Sequence, residues 1–293
     1  MSQVSDTTHA VRLDGKVVAG HLLASLRDSL QSVIKSSQRA PKLVVVQVGE
    51  DPASSVYVKN KIKTAQSLGM ASEHRHLPES ISEQALFAEL DQLNQNPSID
   101  AVLVQMPLPK HLDALSVIDR LGASKDVDGF HPVHLGNLVC GNPGGVLPCT
   151  PAGIMQILEH YRIPVEGKHA VVIGRSNIVG KPLSLMLLQG NATVTIAHSR
   201  TRNLSELTRS ADILVAAVGV ADLVTGDMVK PGAVVIDVGM NKKDGKLVGD
   251  IDQAAVGTVA GYLTPVPGGV GPMTIAMLMK NTWTLYQQHI LQV

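Results

Sequence analysis

The sequence predicts an α/β protein with two domains, each built on a parallel sheet. Three observations carry this. Apolar runs of strand length alternate with segments of helical period along the whole chain, the order that produces parallel sheets. The strand candidates are apolar at successive positions rather than alternate ones, as strands covered on both faces are. The 293 residues are many for one core and suit two, and with 44% hydrophobic but only 2% aromatic residues those cores consist mainly of Val, Leu, Ile, Ala and Met.

The first half begins with a helix over 16–35, followed by the strand KLVVVQVG (42–49). A helix over 54–69 follows, opened by Asp51-Pro52, an N-cap residue with proline at the first helical position. ASEHRHL (71–77) reads as a weaker strand, 82–95 as a helix, and DAVLVQMPLP (100–109) as a strand stopped by its prolines. Residues 122–150 show little apolar period and read as a long loop, a feature that is often functional. Thr150-Pro151 repeats the cap-plus-proline signal and sets the domain boundary.

The second half restarts the alternation with HAVVIG (169–174), ATVTIAH (192–198), DILVAAVG (212–219) and AVVIDVG (233–239), four predicted buried strands. From about Pro272 the chain reads as one more helix, too apolar to stand alone. Docked on the first domain, it gives a division of 1–149 plus 271–293 against 150–270.

Composition narrows the function. Lysine plus arginine equals aspartate plus glutamate, and the pI is about 7.2, so no net field draws a nucleic acid or an anionic membrane. MSQVSDTTHA has no apolar core of the signal-peptide type, and no run is long enough to span a bilayer. Cys140 and Cys149 form no CxxC pair, and the eleven histidines show no metal spacing, so the expectation is a reduced, cytoplasmic protein without a metal.

VVIGRSNIVGKP (171–182) is a strand, a glycine turn and a helix start. Gly174 allows the sharp turn, Gly180 allows close helix–strand packing, and the helix N-terminus offers N–H groups to a pyrophosphate. An ordinary βα turn has the same outline. Folds that bind NAD usually place a carboxylate after the second strand, to hold the ribose 2′-OH. Here that strand ends in His198-Ser199-Arg200-Thr201, with Arg175 in the first turn. Hydroxyls and arginines suit a 2′-phosphate, so the cofactor predicted for this Rossmann-like domain is NADP.

VYVKNKIK (56–63) carries three lysines on one predicted helix. At 100° per residue, Val58, Ile62, Ala65 and Gly69 form the core side, and Lys59 and Lys63 point outward. Tyr57 and Lys61 share an i, i+4 face at the flank of the apolar stripe. Lys61 fits two descriptions there: a snorkelling side chain, or a partly desolvated amine able to exchange protons near neutral pH.

YVKNK (57–61), QMPLP (105–109), KDVDGFHP (125–132), PCTPAG (148–153), GRSNIVGKP (174–182), DVGMN (237–241) and PVPGGVGPMT (265–274) occur in an order and spacing that strongly resemble the methylenetetrahydrofolate dehydrogenase/methenyltetrahydrofolate cyclohydrolase family. The resemblance runs from about Asp14 to the end. It implies two α/β domains with a cleft, a homodimer, and tetrahydrofolate one-carbon derivatives as substrates. The implied reactions are NADP-dependent oxidation of 5,10-methylenetetrahydrofolate and hydrolysis of the methenyl product to 10-formyltetrahydrofolate.

By the same resemblance Lys61 is the catalytic lysine, Tyr57 its partner, Gln105 the glutamine that contacts it, and Asp128 the aspartate that holds the pterin. Pro267, Gly271 and Thr274 fall between folate and nicotinamide. Gly174, Arg175, Ser176, Gly180, Ser199, Arg200, Met240 and Thr274 fall at the cofactor. Met106 departs from the commoner QLPLP by a change of similar volume, and Met240 replaces a commoner isoleucine at a position that the resemblance has acting through its backbone. Physical chemistry supports several of these roles. An amide at 105 can orient a lysine without pairing its charge away, and a carboxylate accepts the pterin's adjacent N–H and amino groups together. Asp128 also fits a loop-bracing Asx turn beside Gly129, and Asp126 competes with it. A shikimate-type NADP dehydrogenase and a non-catalytic folate-binding protein are the alternative readings.

Overall fold

A computed structural model describes residues 10–35, 39–142 and 144–291. The first nine residues, most of the polar stretch read above, lie outside the described residues. In chain order the elements are β1 (Val11–Arg12), α1 (Gly15–Lys35), β2 (Lys42–Val48), α2 (Pro52–Ser67), β3 (Ala71–Leu77), α3 (Glu83–Gln95), β4 (Ala101–Val104), α4 (Ala114–Arg120) and α5 (Pro132–Cys140). They continue with α6 (Cys149–His160), β5 (His169–Ile173), α7 (Gly180–Gln189), β6 (Thr193–Ala197), α8 (Leu204–Arg209), β7 (Ile213–Ala216) and β8 (Val234–Asp237). The hairpin β9 (Asn241–Lys243) and β10 (Lys246–Val248), α9 (Gln253–Val256), β11 (Tyr262–Leu263) and α10 (Val270–Leu291) complete the chain.

The chain divides into two compact units. One holds the described residues up to Ala19 with Thr150–Thr274; the other holds Gly20–Cys149 with the residues from Ile275 onward.

In the second of these units β2 lies between β3 and β4, all parallel. The strands β2 and β4 are buried on both faces, whereas β3, at the edge, alternates between exposed and half-buried residues. That explains its weak signal in the sequence. Val44, Val46, Leu86, Leu90, Val102 and Val117 form the core of this unit. The predicted cap of α2 is present: Asp51 Oδ2 accepts from the Ser54 N–H at 2.7 Å, and Pro52 opens the helix.

In the first unit the sheet order is β1-β11-β8-β7-β5-β6 among the described residues, and every pairing is parallel. Strand order reverses beside β5, with β6 on one side and β7 on the other. A doubly wound sheet leaves its binding crevice at such a switch point.

Several expectations are corrected. Val11–Arg12 pairs with Tyr262–Leu263, so the start of the chain joins the nucleotide-type sheet rather than residues 20–149. The strand β6 is an edge strand with a largely exposed face, not a fully buried one. The region 122–150 is not all loop. It contains α5, opened by Pro132, with His131 as its cap: the ring Nδ1 accepts the Val133 N–H at 3.1 Å. Thr150 is no N-cap. The helix α6 already includes Cys149, and the Thr150 hydroxyl meets the Thr274 hydroxyl at 2.9 Å.

Candidate functional site

The lysine set lies in the unit Gly20–Cys149. Helix α2 buries Ser54, Val58, Lys61, Ala65 and Leu68, a seam of i, i+4, i+7 spacing. Lys61 therefore sits in the middle of the buried face, 8% exposed, while Ile62 is half-buried and Gly69 exposed. The expected position at the flank understated its depth. Its Nζ donates to Gln105 Oε1 at 2.9 Å. Gln105 follows β4, its N–H donates to the Val46 carbonyl at 2.8 Å, and its Nε2 donates to the Met106 carbonyl at 2.7 Å. That second bond fixes which end of the amide faces the amine. Tyr57, one helical turn before Lys61, is half-buried, and burial raises its phenol pKa.

Asp128 follows a segment that pairs with β4. The Lys125 carbonyl accepts from Val102 N at 2.7 Å and Val127 N donates to the Val102 carbonyl, so the segment runs briefly alongside β4. Asp126 is 3% exposed and braces the loop: its carboxylate accepts from the N–H groups of Asp128 at 3.2 Å, Gly129 at 3.3 Å and His131 at 2.7 Å. The bracing role open to either aspartate on sequence belongs to Asp126. No hydrogen bond reaches the Asp128 carboxylate among the described residues. Part of the Asp128 surface is open, yet protein atoms crowd its carboxyl group. Burial pushes its pKa up to about 6, with Lys61 pulling it down and Asp126 adding to the rise. An ionised carboxyl so placed is poorly solvated and has no protein donor among the described residues, which suits an incoming pair of N–H groups.

The nucleotide-type set lies in the other unit. Gly174 ends β5 at φ 127°, and a Cβ there would collide with the Ala217 carbonyl. A Cβ at Gly180 would collide with the Gly174 carbonyl. Both glycines are thus demanded by the turn itself. Ser176 Oγ accepts from the N–H groups of Val179 at 3.1 Å and Gly180 at 3.3 Å, capping α7. Arg175 and Ser176 are exposed just past β5, Ser199 and Arg200 are exposed just past β6, and the register Ile173↔Ala197 puts all four at one end of the sheet. Met240, 50% exposed, follows β8 at the same end. Thr274 is half-buried, its hydroxyl held by Thr150, and Pro267 is exposed. A Cβ at Gly271 would meet no protein atom within 4 Å, so the protein alone does not require glycine there.

Residues that sequence reasoning missed hold these loops. Asp237, 1% exposed, accepts from the N–H groups of Gly239 at 3.0 Å and Asp250 at 2.8 Å. Burial pushes its pKa up to about 6. Asp250, fully buried, accepts from Val218, Gly219 and Val220 at 2.7–3.1 Å and so fixes the turn after β7. In the lysine unit Asn281 plays a comparable part. Cys149 is buried, and burial pushes its thiol well up, which leaves it an inert structural thiol. His134 is bonded to the Ala123 carbonyl, and His198 accepts from Arg200 N.

A doubly wound sheet with a glycine turn at its switch point, and in the same chain an α/β unit with a buried lysine and an unsatisfied carboxylate, point to a dinucleotide-binding enzyme of two α/β units. Family models agree and are more specific. Residues 13–128 match the catalytic domain of tetrahydrofolate dehydrogenase/cyclohydrolase, and residues 148–290 match its NAD(P)-binding domain. The chain belongs to the tetrahydrofolate dehydrogenase/cyclohydrolase family.

It is 51% identical over 282 residues to the bifunctional protein FolD of Ligilactobacillus salivarius, covering 96% of this chain and 98% of that one. The FolD structure of Campylobacter jejuni superposes with a TM-score of 0.92 at 45% identity, covering 95% and 99% of the two chains. The Trypanosoma brucei FolD structure, complexed with NADP cofactor and inhibitor, gives 0.91 at 35% identity, covering 96% and 98%. Against shikimate 5-dehydrogenase of Thermus thermophilus the score is 0.52 at 15% identity over 85% and 93% of the chains, a likeness of fold alone.

Proposed function

We propose that this chain is a bifunctional enzyme of one-carbon metabolism. It oxidises 5,10-methylenetetrahydrofolate to the 5,10-methenyl cation and then hydrolyses that cation to 10-formyltetrahydrofolate. NADP⁺, when bound, accepts the hydride from the methylene carbon. In the second reaction water adds to the methenyl carbon, one proton is released, and the ring opens at nitrogen. The observation that carries the reading is the buried Lys61 amine on the Gln105 amide, in the same unit as the unsatisfied Asp128 carboxylate.

Lys61 transfers the protons of the hydrolysis: one taken from the attacking water, one given to the departing nitrogen. Gln105 aims the amine and, being neutral, leaves its charge unpaired; a carboxylate in its place would hold the amine protonated. Tyr57 offers its ring to the aminobenzoyl group. Asp128 accepts the pterin N–H and amino group together. Gly174 and Gly180 bring bare backbone to the pyrophosphate, and Ser176 keeps that turn in shape. Arg175, Ser199 and Arg200 bind the 2′-phosphate, and no carboxylate among them opposes it. Met240 lines the cofactor, while Pro267, Gly271 and Thr274 border nicotinamide and folate, with open space beside Gly271 for a ligand's approach.

The domain roles follow: residues 1–149 with 271–293 bind folate and residues 150–270 bind NADP, apart from the N-terminal strand that joins the second sheet. As the family resemblance implies, the enzyme works as a homodimer in the cytoplasm and supplies purine, histidine and methionine biosynthesis. Sedimentation velocity tests the first point, and the mass of a single chain would overturn it.

One assay tests the function. Purified protein is given methylenetetrahydrofolate with NADP⁺ or NAD⁺, and NADPH and methenyl product are followed together. Turnover with NADP⁺, and hydrolysis of added methenyltetrahydrofolate that Lys61→Met abolishes, are expected. Reduction of NADP⁺ by a hydroxy acid, with none by the folate, would refute the reading.

A further inference from the structure

The Asp128 carboxylate has no side-chain partner among the described residues, so its direction depends on the backbone that carries it. Asp126 accepts from the N–H of Asp128 itself and from the N–H groups of Gly129 and His131 beyond it. The carbonyl end of the peptide that enters Asp128 is held from α10. Asn281, 4% exposed, donates from Nδ2 to the Val127 carbonyl at 2.9 Å and to the Leu147 carbonyl at 2.8 Å, with Cys149 Sγ at 3.3 Å. Val127 immediately precedes Asp128. Leu147 lies against Gly129, where a Cβ would come within 2.7 Å of the Leu147 carbonyl carbon and of Pro148 N. One amide therefore clamps the two strands of chain that border the carboxylate.

We propose that Asn281 is a positioning residue for the folate site: by holding the Val127 and Leu147 carbonyls it sets the peptide plane ahead of Asp128 and so aims that carboxylate. The proposal rests on the reading of Asp128 as the acceptor for the pterin.

The chemistry of the position favours asparagine. Two buried carbonyls need two donors, and a primary amide carries two hydrogens on one nitrogen. A serine hydroxyl has one hydrogen. An aspartate would turn lone pairs toward lone pairs, and a lysine would add a second cation to a dry region that already holds Lys61. Without the amide the Leu147 carbonyl loses its donor and the Val127 carbonyl keeps only the weak Cys149 thiol at 3.5 Å, a desolvation cost that loop movement can relieve. Moving the loop moves Asp128.

The test compares Asn281→Ser, Asn281→Leu, Asp128→Asn and Thr282→Val. Thr282 is the neighbouring buried polar residue of α10; its hydroxyl donates to the Leu278 carbonyl at 2.9 Å and makes no hydrogen bond to either loop among the described residues. For each variant KM for methylenetetrahydrofolate, KM for NADP⁺, kcat, the acid limb of kcat/KM and Tm are measured.

Asn281→Ser is expected to raise the folate KM about tenfold, the worth of one lost buried hydrogen bond, with the NADP⁺ KM within about twofold. Its acid limb should move to lower pH. Water admitted beside Asp128 lessens the desolvation that holds the carboxyl at about 6, while the other charges facing it (Lys61 of α2, Asp126 of its own loop) stay in place, and the thiol of Cys149 stays neutral. Asn281→Leu should show the same shifts, larger. Thr282→Val should lower Tm and move neither folate KM nor the limb. If Asn281→Ser lowers Tm as Thr282→Val does, with folate KM and acid limb unmoved while Asp128→Asn raises folate KM, then Asn281 only braces the fold and the inference fails alone. An unchanged folate KM in Asp128→Asn would sink the reading of Asp128 and the inference with it. Should Asn281→Leu not fold, Asn281→Ser decides.

Discussion

The two candidate sites of this chain are built by opposite means. The lysine set is made of buried and half-buried side chains: Lys61 on the buried seam of α2, Gln105 just past β4, and Asp128 with a carboxyl pushed up to about 6. The nucleotide set is made of backbone and exposed side chains: two glycines that tolerate no Cβ, then Arg175, Ser176, Ser199 and Arg200 in contact with solvent. Proton transfer needs groups whose affinities are tuned by desolvation. Binding a polyphosphate needs donors and space, with the charge supplied by the ligand.

The largest expected effect lies in the buried region. Lys61→Met should lower cyclohydrolase turnover by about 10²–10⁴, the usual worth of a positioned acid–base group, while folate still binds. Isothermal titration with a folate analogue and assay of methenyl hydrolysis check both halves. An equal loss of folding and binding would make Lys61 a structural residue and erase the contrast between the sites.

Next comes the glycine turn. Gly180→Ala sets a methyl against the Gly174 carbonyl, and Gly174→Ala adds a φ of 127° that L residues avoid. Overpacking and strain of this kind cost about 1–3 kcal/mol each. Thermal melting should show the loss, and the NADP⁺ KM should rise with the folate KM unmoved. A variant with wild-type melting and wild-type NADP⁺ KM would mean that the turn adapts.

Arg175→Ala sharpens the comparison from the exposed side. Losing a charge-assisted contact to a phosphate is worth about 1.5–3 kcal/mol, or about ten- to a hundredfold in the NADP⁺ KM. Tm should stay put, since Arg175 is exposed at a loop and supports no core. Steady-state kinetics with NADP⁺ and NAD⁺ check it; an unchanged NADP⁺ constant would contradict the phosphate clamp.

The same division governs what the sequence could show. The strands β2 to β8, the Asp51-Pro52 start of α2 and the glycine turn were legible, because apolar runs, local sterics and capping dictate them. Lys61's depth was not. The seam of α2 includes Ser54 as well as Lys61, so an apolar wheel drifts to Ile62, and only tertiary packing reveals the true face. Helix α5 was hidden by Pro132, Gly136 and a cap made by a histidine ring. Asp126 and Asp128 have equal standing on paper. What separates them is which carboxylate receives three N–H groups and which receives none. Asn281 sits in an apolar helix whose period says nothing about two carbonyls more than a hundred residues away. Val11–Arg12 is too short to announce a strand, and it finds its partner only in Tyr262–Leu263.

The smallest effect tests whether the buried site is held at the expense of the fold. Burial holds the Asp128 carboxyl at about 6 in the folded chain, above the ordinary aspartate value of 3.8, so its ionised form is disfavoured there. An acid whose pKa rises on folding costs stability above the folded value and nothing below the unfolded one. The penalty is therefore full above about pH 6 and absent below about pH 4. Two pKa units set a ceiling of about 3 kcal/mol, and because Asp128 keeps part of its surface open, about 1 kcal/mol is the figure to expect. Asp128→Asn removes the charge at similar volume. It should raise stability to denaturant by about that amount at pH 8 and leave it unchanged at pH 4, while catalysis is lost, the trade expected where a site works against its own fold. Equal stability of variant and parent at both pH values would show that the carboxylate is comfortably solvated. The two sites would then differ in geometry but not in their cost to the fold.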